Sequence, residues 1–235
     1  MTPLLIAFLA LQSPTFEVAS VKPANPANRL ATISTGGDTL TLRHTTLLNA
    51  LARAYSMKFA AYLIDGAAWI RSERYDIVAK APEGTEKEKV PLMLRALLAE
   101  RFQLVLRHEK KEVAAYALSV GKGQLRLRED DTDPKDTFNM KHGREAKSVS
   151  MGTLTQMISF MVRAPVLDET GLSGRYTFPL EMSAEEMGQI GTATPDDPKL
   201  SIFSIVEGLG LKLQSKKALF DVIVVEGGNK VPTEN

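Results

Sequence analysis

The chain contains no cysteine, which removes disulfides, thiolate metal sites, cysteine nucleophiles and cysteine-linked lipid anchors together. Histidine is nearly as scarce. His44, His108 and His142 are the only three, none is paired at helical spacing, and HExxH is absent, so a zinc site would have to gather ligands from across the fold. Neither charge is in excess, with 29 Lys plus Arg against 28 Asp plus Glu, which gives no reason to expect a polyanionic partner. The basic clusters RHEKK (107–111) and KHGREAK (141–147) have no aromatics interleaved and read as solvated strand ends or loops, not as a nucleic-acid surface. GxSxG, GxxxxGK[ST] and a GxGxxG between strand and helix are all missing; the glycines of GLGLKL follow a helical pattern and read as its C-cap. These absences leave no expected metal or cofactor.

What is present is an ordinary globular composition, 235 residues with 44% hydrophobic and 24% charged, enough for one substantial core or two small ones. The longest N-terminal apolar run, PLLIAFLAL, is too short to span a bilayer and has the outline of a secretory signal peptide over residues 1–12. No Lys or Arg precedes it, and Ala10-Leu11-Gln12 is a poor small-residue cleavage match. The two readings are therefore export to the periplasm or outside, and a buried N-terminal segment of a cytoplasmic protein.

The same order of signals occurs twice along the chain. TLTLRHTTLLNALARAY (39–55), LIDGAAWIRSERYDIVAKAP (63–82), VPLMLRALLAERFQLVLRHEKK (90–111) and AAYALSVGKG (114–123) are echoed by KSVSMGTLTQMISFMV (147–162), VLDETGLSGRYTFPLEM (166–182), LSIFSIVEGLGLKLQSKK (200–217) and LFDVIVVEGG (219–228). Leu47, Leu48, Leu51 and Tyr55, and later Leu154, Met157, Ile158, Met161 and Val162, follow helical spacing with one apolar face. Tyr75, Ile77 and Ala79, and later Tyr176, Phe178 and Leu180, alternate as half-buried strands do. A second helix is read over Leu94, Leu97, Leu98 and Phe102, with Pro91 in its first turn, and over Ile202, Ile205, Val206 and Leu209, with Asp197 before Pro198 as its start. Each second helix feeds a strand, and a Lys-rich turn is expected to return the chain as a hairpin in both halves. FEVASVKP and Gly36-Gly37 add a strand and a hairpin in front.

The expected fold is α+β: two pseudo-repeated halves, each a mixed or antiparallel sheet with helices on one face. The expected bounds are 13–128 for the first half, 129–147 for a polar connector and lead-in containing DDTDPKD (130–136), and 148–235 for the second half. The segment 183–199 has no apolar period and reads as a surface excursion.

Candidate chemistry is thin. Asp168-Glu169-Thr170-Gly171 looks like a phosphorylated-aspartate loop, but Glu169 occupies the place where a lysine would neutralise phosphate. An aspartic-protease reading fails because Glu169 separates Asp168 from Thr170-Gly171. Asp168, Gly171 and Gly174 read instead as a turn that launches the Tyr176 strand, with Asp65-Gly66 in the corresponding place. The acidic group Asp130, Asp131, Asp133 and Asp136 lacks the glycine and terminal glutamate of a calcium loop and reads as solvated linker. Trp69, the one tryptophan, either packs on the following strand or stands at a surface with Arg71 and Arg74.

Taken together, FEVASVKP, LIDGAAWIRSERYDIVAKAP, LRALLAERFQLVLRHEKKEVAAYALSVGKG, PVLDETGLSGRYTFPLEM and GLGLKLQSKKALFDVIVVEGGNKVPTEN resemble a family of uncharacterised proteins, heavily duplicated in soil acidobacteria. The resemblance covers nearly the whole chain after residue 15. It implies export and an envelope role, and carries no catalytic residues over. The helix–strand–strand pattern of LSIFSIVEGLGLKLQSKKALFDVIVVEG is also similar to short N-terminal modules of secretins and TonB-dependent receptors, a likeness of fold pattern only. The function expected is a non-enzymatic, exported binding or interaction protein whose partner is an envelope protein or small ligand, with sheet edges or the groove between halves as the contact surface and Trp69, Arg71 and Arg74 as candidate contacts. The alternative is a hydrolase-type enzyme whose acid or base comes from Asp168, Asp65 or His44 brought together in space.

Overall fold

The structure, a computed structural model, describes residues 14–27, 30–132, 137–139, 145–179 and 202–233. The Asp197-Pro198 helix start, Leu180, the 183–199 excursion, His142, Asp133, Asp136 and the apolar leader lie outside the described residues. The chain folds into two compact units: one is built on the chain up to Glu109 and resumes at Asp221, and the other on Lys110–Phe220. Helices and strands are mixed in both, as expected of an α+β chain.

In the first unit β1 (Val18–Pro23), β2 (Thr32–Gly36), β3 (Thr39–Thr45) and β5 (Tyr75–Lys80) form an antiparallel sheet in the order β1-β5-β3-β2. Alternation along β5 buries Tyr75, Ile77 and Ala79, as its period-2 pattern requires. α1 (Leu47–Ala54) starts where the Thr46 hydroxyl accepts the Asn49 N–H at 3.1 Å, which satisfies one of the free donors of the first turn. α4 (Val90–Phe102) carries Pro91 in its first turn and ends at Gln103 with φ 48°. Its Leu94, Leu97, Leu98 and Phe102 join Leu47, Leu51, Leu40, Leu42 and Ile77 in one core. Each such buried side chain contributes about 2 kcal/mol of apolar transfer. Arg95 on α4 donates from Nε to the Ala54 carbonyl at the end of α1, its guanidinium 4.3 Å above the Tyr55 ring, so a cation sits at a helix C-terminus. The short α2 (Ala60–Leu63) and α3 (Trp69–Ser72) flank β4 (Ile64–Gly66).

In the second unit β7 (Arg128–Glu129), β8 (Thr137–Asn139), β9 (Glu145–Ser150) and β11 (Arg175–Pro179) form a sheet in the order β7-β11-β9-β8. α5 (Met151–Val162) begins at Ser150, whose Oγ accepts the Thr153 N–H at 3.1 Å. α6 (Ile202–Gly208) precedes Gly210, which takes φ 78° as the C-cap reading of GLGLKL requires. The core here holds Leu154, Ile158, Val166, Tyr176, Phe178, Val206 and Leu211. α5 is turned from its expected face. Thr155 and Ser159 are buried, with hydroxyls donating to the Gly152 and Ala164 carbonyls, while Met157, Met161 and Val162 are half-buried and Phe160 is 77% exposed. A hydroxyl with a backbone partner is cheap to bury, which apolar spacing alone cannot register.

A third sheet runs β10-β6-β12-β4, with β6 (Val105–Val120), β10 (Val166–Asp168) and β12 (Leu211–Gly227). It corrects the expected hairpins. β6 is one strand of 16 residues and β12 one of 17, and neither turns back at its Lys-rich segment. The reason lies in the letters: RHEKKE (107–112) and QSKKAL (214–219) contain no Gly, Pro, Asn or Asp, the residues whose backbone preferences make a tight return.

Candidate functional site

Asp168 and Asp65, two of the residues singled out for chemistry, are each engaged in a local turn. Asp168, at the end of β10, accepts the Thr170 N–H at 3.0 Å and the Thr170 hydroxyl at 2.7 Å on Oδ1, and Thr170 Oγ1 accepts the Leu172 N–H at 3.1 Å. Gly171 and Gly174 follow with φ 69° and 113°. Glu169 forms an ion pair with Lys216. Asp65 Oδ1 accepts the Gly66 N–H at 2.7 Å. Gly66 takes φ 149°, and a Cβ there would lie 2.9 Å from Val225 Cβ, so only glycine lets β4 lie against β12 at this point.

His44 is half-buried with φ 50°; its N–H donates to Asp76 Oδ1 at 2.8 Å, and its Nδ1 is buried without a partner among the described residues. Neither Asp65 nor Asp168 shares a hydrogen bond with it, and among the described residues no group of three or more His, Asp or Glu is placed to hold a metal ion.

Asp130 is a heavily bonded carboxylate. It accepts the Thr132 hydroxyl and N–H on Oδ1 and the Thr177 hydroxyl on Oδ2 at 2.5 Å. Ser148, fully buried, donates to the Asp130 carbonyl at 2.7 Å and accepts from Arg175 Nε at 3.0 Å. The Thr132 and Thr177 hydroxyls hold the Asp130 pKa down to about 2. Asp130 thus pins the β9–β11 pair, a role a solvated linker would not have. Tyr75 and Tyr176 are buried phenols whose Oη donate to the Lys230 and Ser173 carbonyls at 2.7 and 2.9 Å. Burial, then the nearby Glu73 charge, pushes Tyr75 up to about 12.

Trp69 is half-buried and stacks on Phe102 at 6.2 Å between ring centroids. Arg71 donates to the Ile64 carbonyl, and Arg74 is exposed beside β5. The Trp69 ring and the Arg71 guanidinium are thus engaged within the first unit.

The feature that residue motifs did not single out is an edge. Among the described residues β2 pairs only with β3, which leaves one row of its backbone donors and acceptors without a strand partner there, and all five of its residues are exposed. Protein edges are usually guarded by charge, proline or shortness. β1 carries Lys22 and Pro23, β4 and β10 are three residues long and each holds an aspartate, β7 is the two residues Arg128 and Glu129, and β8, uncharged, is only three residues long. β2, Thr-Ile-Ser-Thr-Gly, has neither charge nor proline. Ile33 is paired with Leu42 and Thr35 with Leu40, and opposed residues share a sheet face. Leu40 and Leu42 are 1% exposed but Ile33 is 62% exposed. The apolar face of the sheet therefore runs out to an exposed Ile33 at the last strand among the described residues. Beside it Arg53 of α1 donates to Thr35 Oγ1 at 3.2 Å.

No helix among the described residues is long and apolar enough to cross a membrane. Residues 48–227 match the profile of a protein family of unknown function, DUF3738, and the chain belongs to that family. Neither the curated proteins nor the solved structures contain a match.

Proposed function

We propose that this member of a family of unknown function is an exported interaction protein that binds an extended polypeptide segment by strand addition at β2. The observation that carries the reading is the unguarded edge Thr32–Gly36, with Ile33 continuing a buried apolar face into solvent. An added antiparallel strand would complete the open backbone bonds and cover Ile33, so main-chain bonding supplies affinity and alternate side chains supply specificity. The segment that fits alternates apolar and polar residues. The Arg53 guanidinium beside Thr35 favours an Asp or Glu next to the apolar position. Contact through Trp69, Arg71 and Arg74 is the lesser part of the proposal, because the first two already have partners in their own unit.

Export rests on the apolar run PLLIAFLAL and the family resemblance, and fractionation of cells making the full chain tests it: recovery only in the cytoplasm contradicts it. The binding reading is tested by selecting peptides from a displayed library of alternating apolar–polar segments and measuring affinity for the wild-type protein and Ile33→Lys. Ile33 is exposed, so the substitution should leave stability within about 0.5 kcal/mol. Affinity is expected to fall at least about tenfold, since the lysine places a desolvated charge against the added strand. A panel with no binders, or binders indifferent to Ile33→Lys, overturns the reading.

A further inference from the structure

The two long strands end in units other than the ones in which they begin. β6 leaves α4 in the first unit and passes at Glu109–Lys110 into the second; β12 leaves α6 in the second and passes at Phe220–Asp221 into the first. Neighbours in their sheet, they are antiparallel: Arg107 pairs with Glu226, Glu112 with Lys217, and the Gly121 N–H with the Gly210 carbonyl. We propose that β6 and β12 are opened hairpins, so that the chain is a reciprocally strand-exchanged pair fused into one polypeptide, each half closing the other half's unit.

Four observations carry this. The closing strands take matching places: β4 pairs in parallel with the end of β12 at Ile64–Ile223, and β10 pairs in parallel with the end of β6 at Val166–Tyr116. Each end is core material for the unit it reaches, Ile223 and Val225 in the first and Leu118 in the second. The residues after each strand then cap the second helix of the receiving unit. Past β12, Asn229 N–H donates to the Phe102 carbonyl at 2.7 Å and Thr233 N–H to Arg101 at 2.8 Å, at the end of α4. Past β6, Arg126 N–H donates to Leu209 at 3.0 Å and Gly121 N–H to Gly210 at 2.8 Å, after α6. Gly210 is required there, because a Cβ would lie 2.3 Å from the Gln124 carbonyl oxygen.

The fourth observation concerns the middle of each strand. Between Leu106 and Ala115, and between Leu213 and Val222, no residue is buried. These stretches are where a hairpin would turn, and they hold nothing that a core needs. A hinge that carries no core residue and no turn residue favours the open strand over the closed hairpin.

The test uses the full chain, whose lack of cysteine makes it suitable. Arg107→Cys and Glu226→Cys are introduced, and a specific protease site is inserted between Lys122 and Gly123, where Gly123 faces open space. After oxidation and cleavage, the two fragments are expected in one band under denaturing, non-reducing conditions and in two once reduced. Fragments that separate without reduction would mean closed hairpins, and a linked pair of full chains before cleavage would mean exchange between molecules; either overturns the proposal. Because the cysteines could disturb pairing by themselves, Glu112→Cys with Lys217→Cys provides an independent crossing point with the same expected and contrary outcomes.

Discussion

Asp168 shows how a catalytic-looking residue can be a turn residue. Its Oδ1 receives both the N–H and the hydroxyl of Thr170 within the loop that leads to β11. Asp168→Ala should lower stability by about 1 kcal/mol, and Asp168→Asn by less because the amide oxygen still accepts; urea denaturation measures both. Tyr75 gives a pH signature. Its folded pKa, about 12, lies above the unfolded value of about 10, so the neutral phenol is favoured in the folded state. That contribution is complete below about pH 10 and is lost as pH rises through about 12. Tyr75→Phe should cost about 1 kcal/mol at neutral pH for the lost bond to Lys230, yet reduce the stability loss between those two pH values, as read from urea midpoints; the buried Tyr176, also shifted upward, supplies part of what remains. Asp130 works in the opposite sense. Its folded value, about 2, lies below the usual aspartate range near 3.9, so its stabilising effect is present above about pH 4 and is lost as pH falls through about 2. Asp130→Asn should flatten acid denaturation, followed by circular dichroism, across that interval.

At the scale of elements, what could be read from letters depended on which signal the physics requires. α1, α4 and β5 were legible because the apolar period alone decides which face is buried, and Leu47, Leu51, Leu94, Leu98, Tyr75 and Ile77 are all buried. The glycine at 210 followed from a similarly local rule, whereas the Thr46 cap became visible only in the structure. β6 and β12 were not legible from alternation, since two short strands joined by a turn and one long strand share the same pattern. The discriminating signal was the missing turn residue in RHEKKE and QSKKAL. Supplying one should reverse the outcome: Lys110→Asn with Lys111→Gly installs a type I′ hairpin pair. In the Arg107→Cys, Glu226→Cys chain this should cut the yield of cross-linked fragments severalfold. An unchanged yield would mean that the hinge sequence does not set the strand's path.

For the whole molecule, the chain is an α+β protein of a family without an assigned function, and its candidate site is a property of topology more than of any motif. TISTGG could be read as a strand and turn, but that β2 ends a sheet follows from the order β1-β5-β3-β2, which no local pattern encodes. What the letters do hold is the absence of Lys, Glu and Pro in that strand, a signal that acquires meaning only once the edge is known. The proposed binding would act at one place, an edge that among the described residues is uncharged and without a strand partner, on a half-buried sheet. The most direct measurement of strand addition is amide hydrogen exchange with and without a selected alternating apolar–polar peptide. Slowed exchange confined to the β2 amides, Thr32 to Gly36, and absent in Ile33→Lys is the predicted result; peptide binding with no change in exchange at those amides would contradict it.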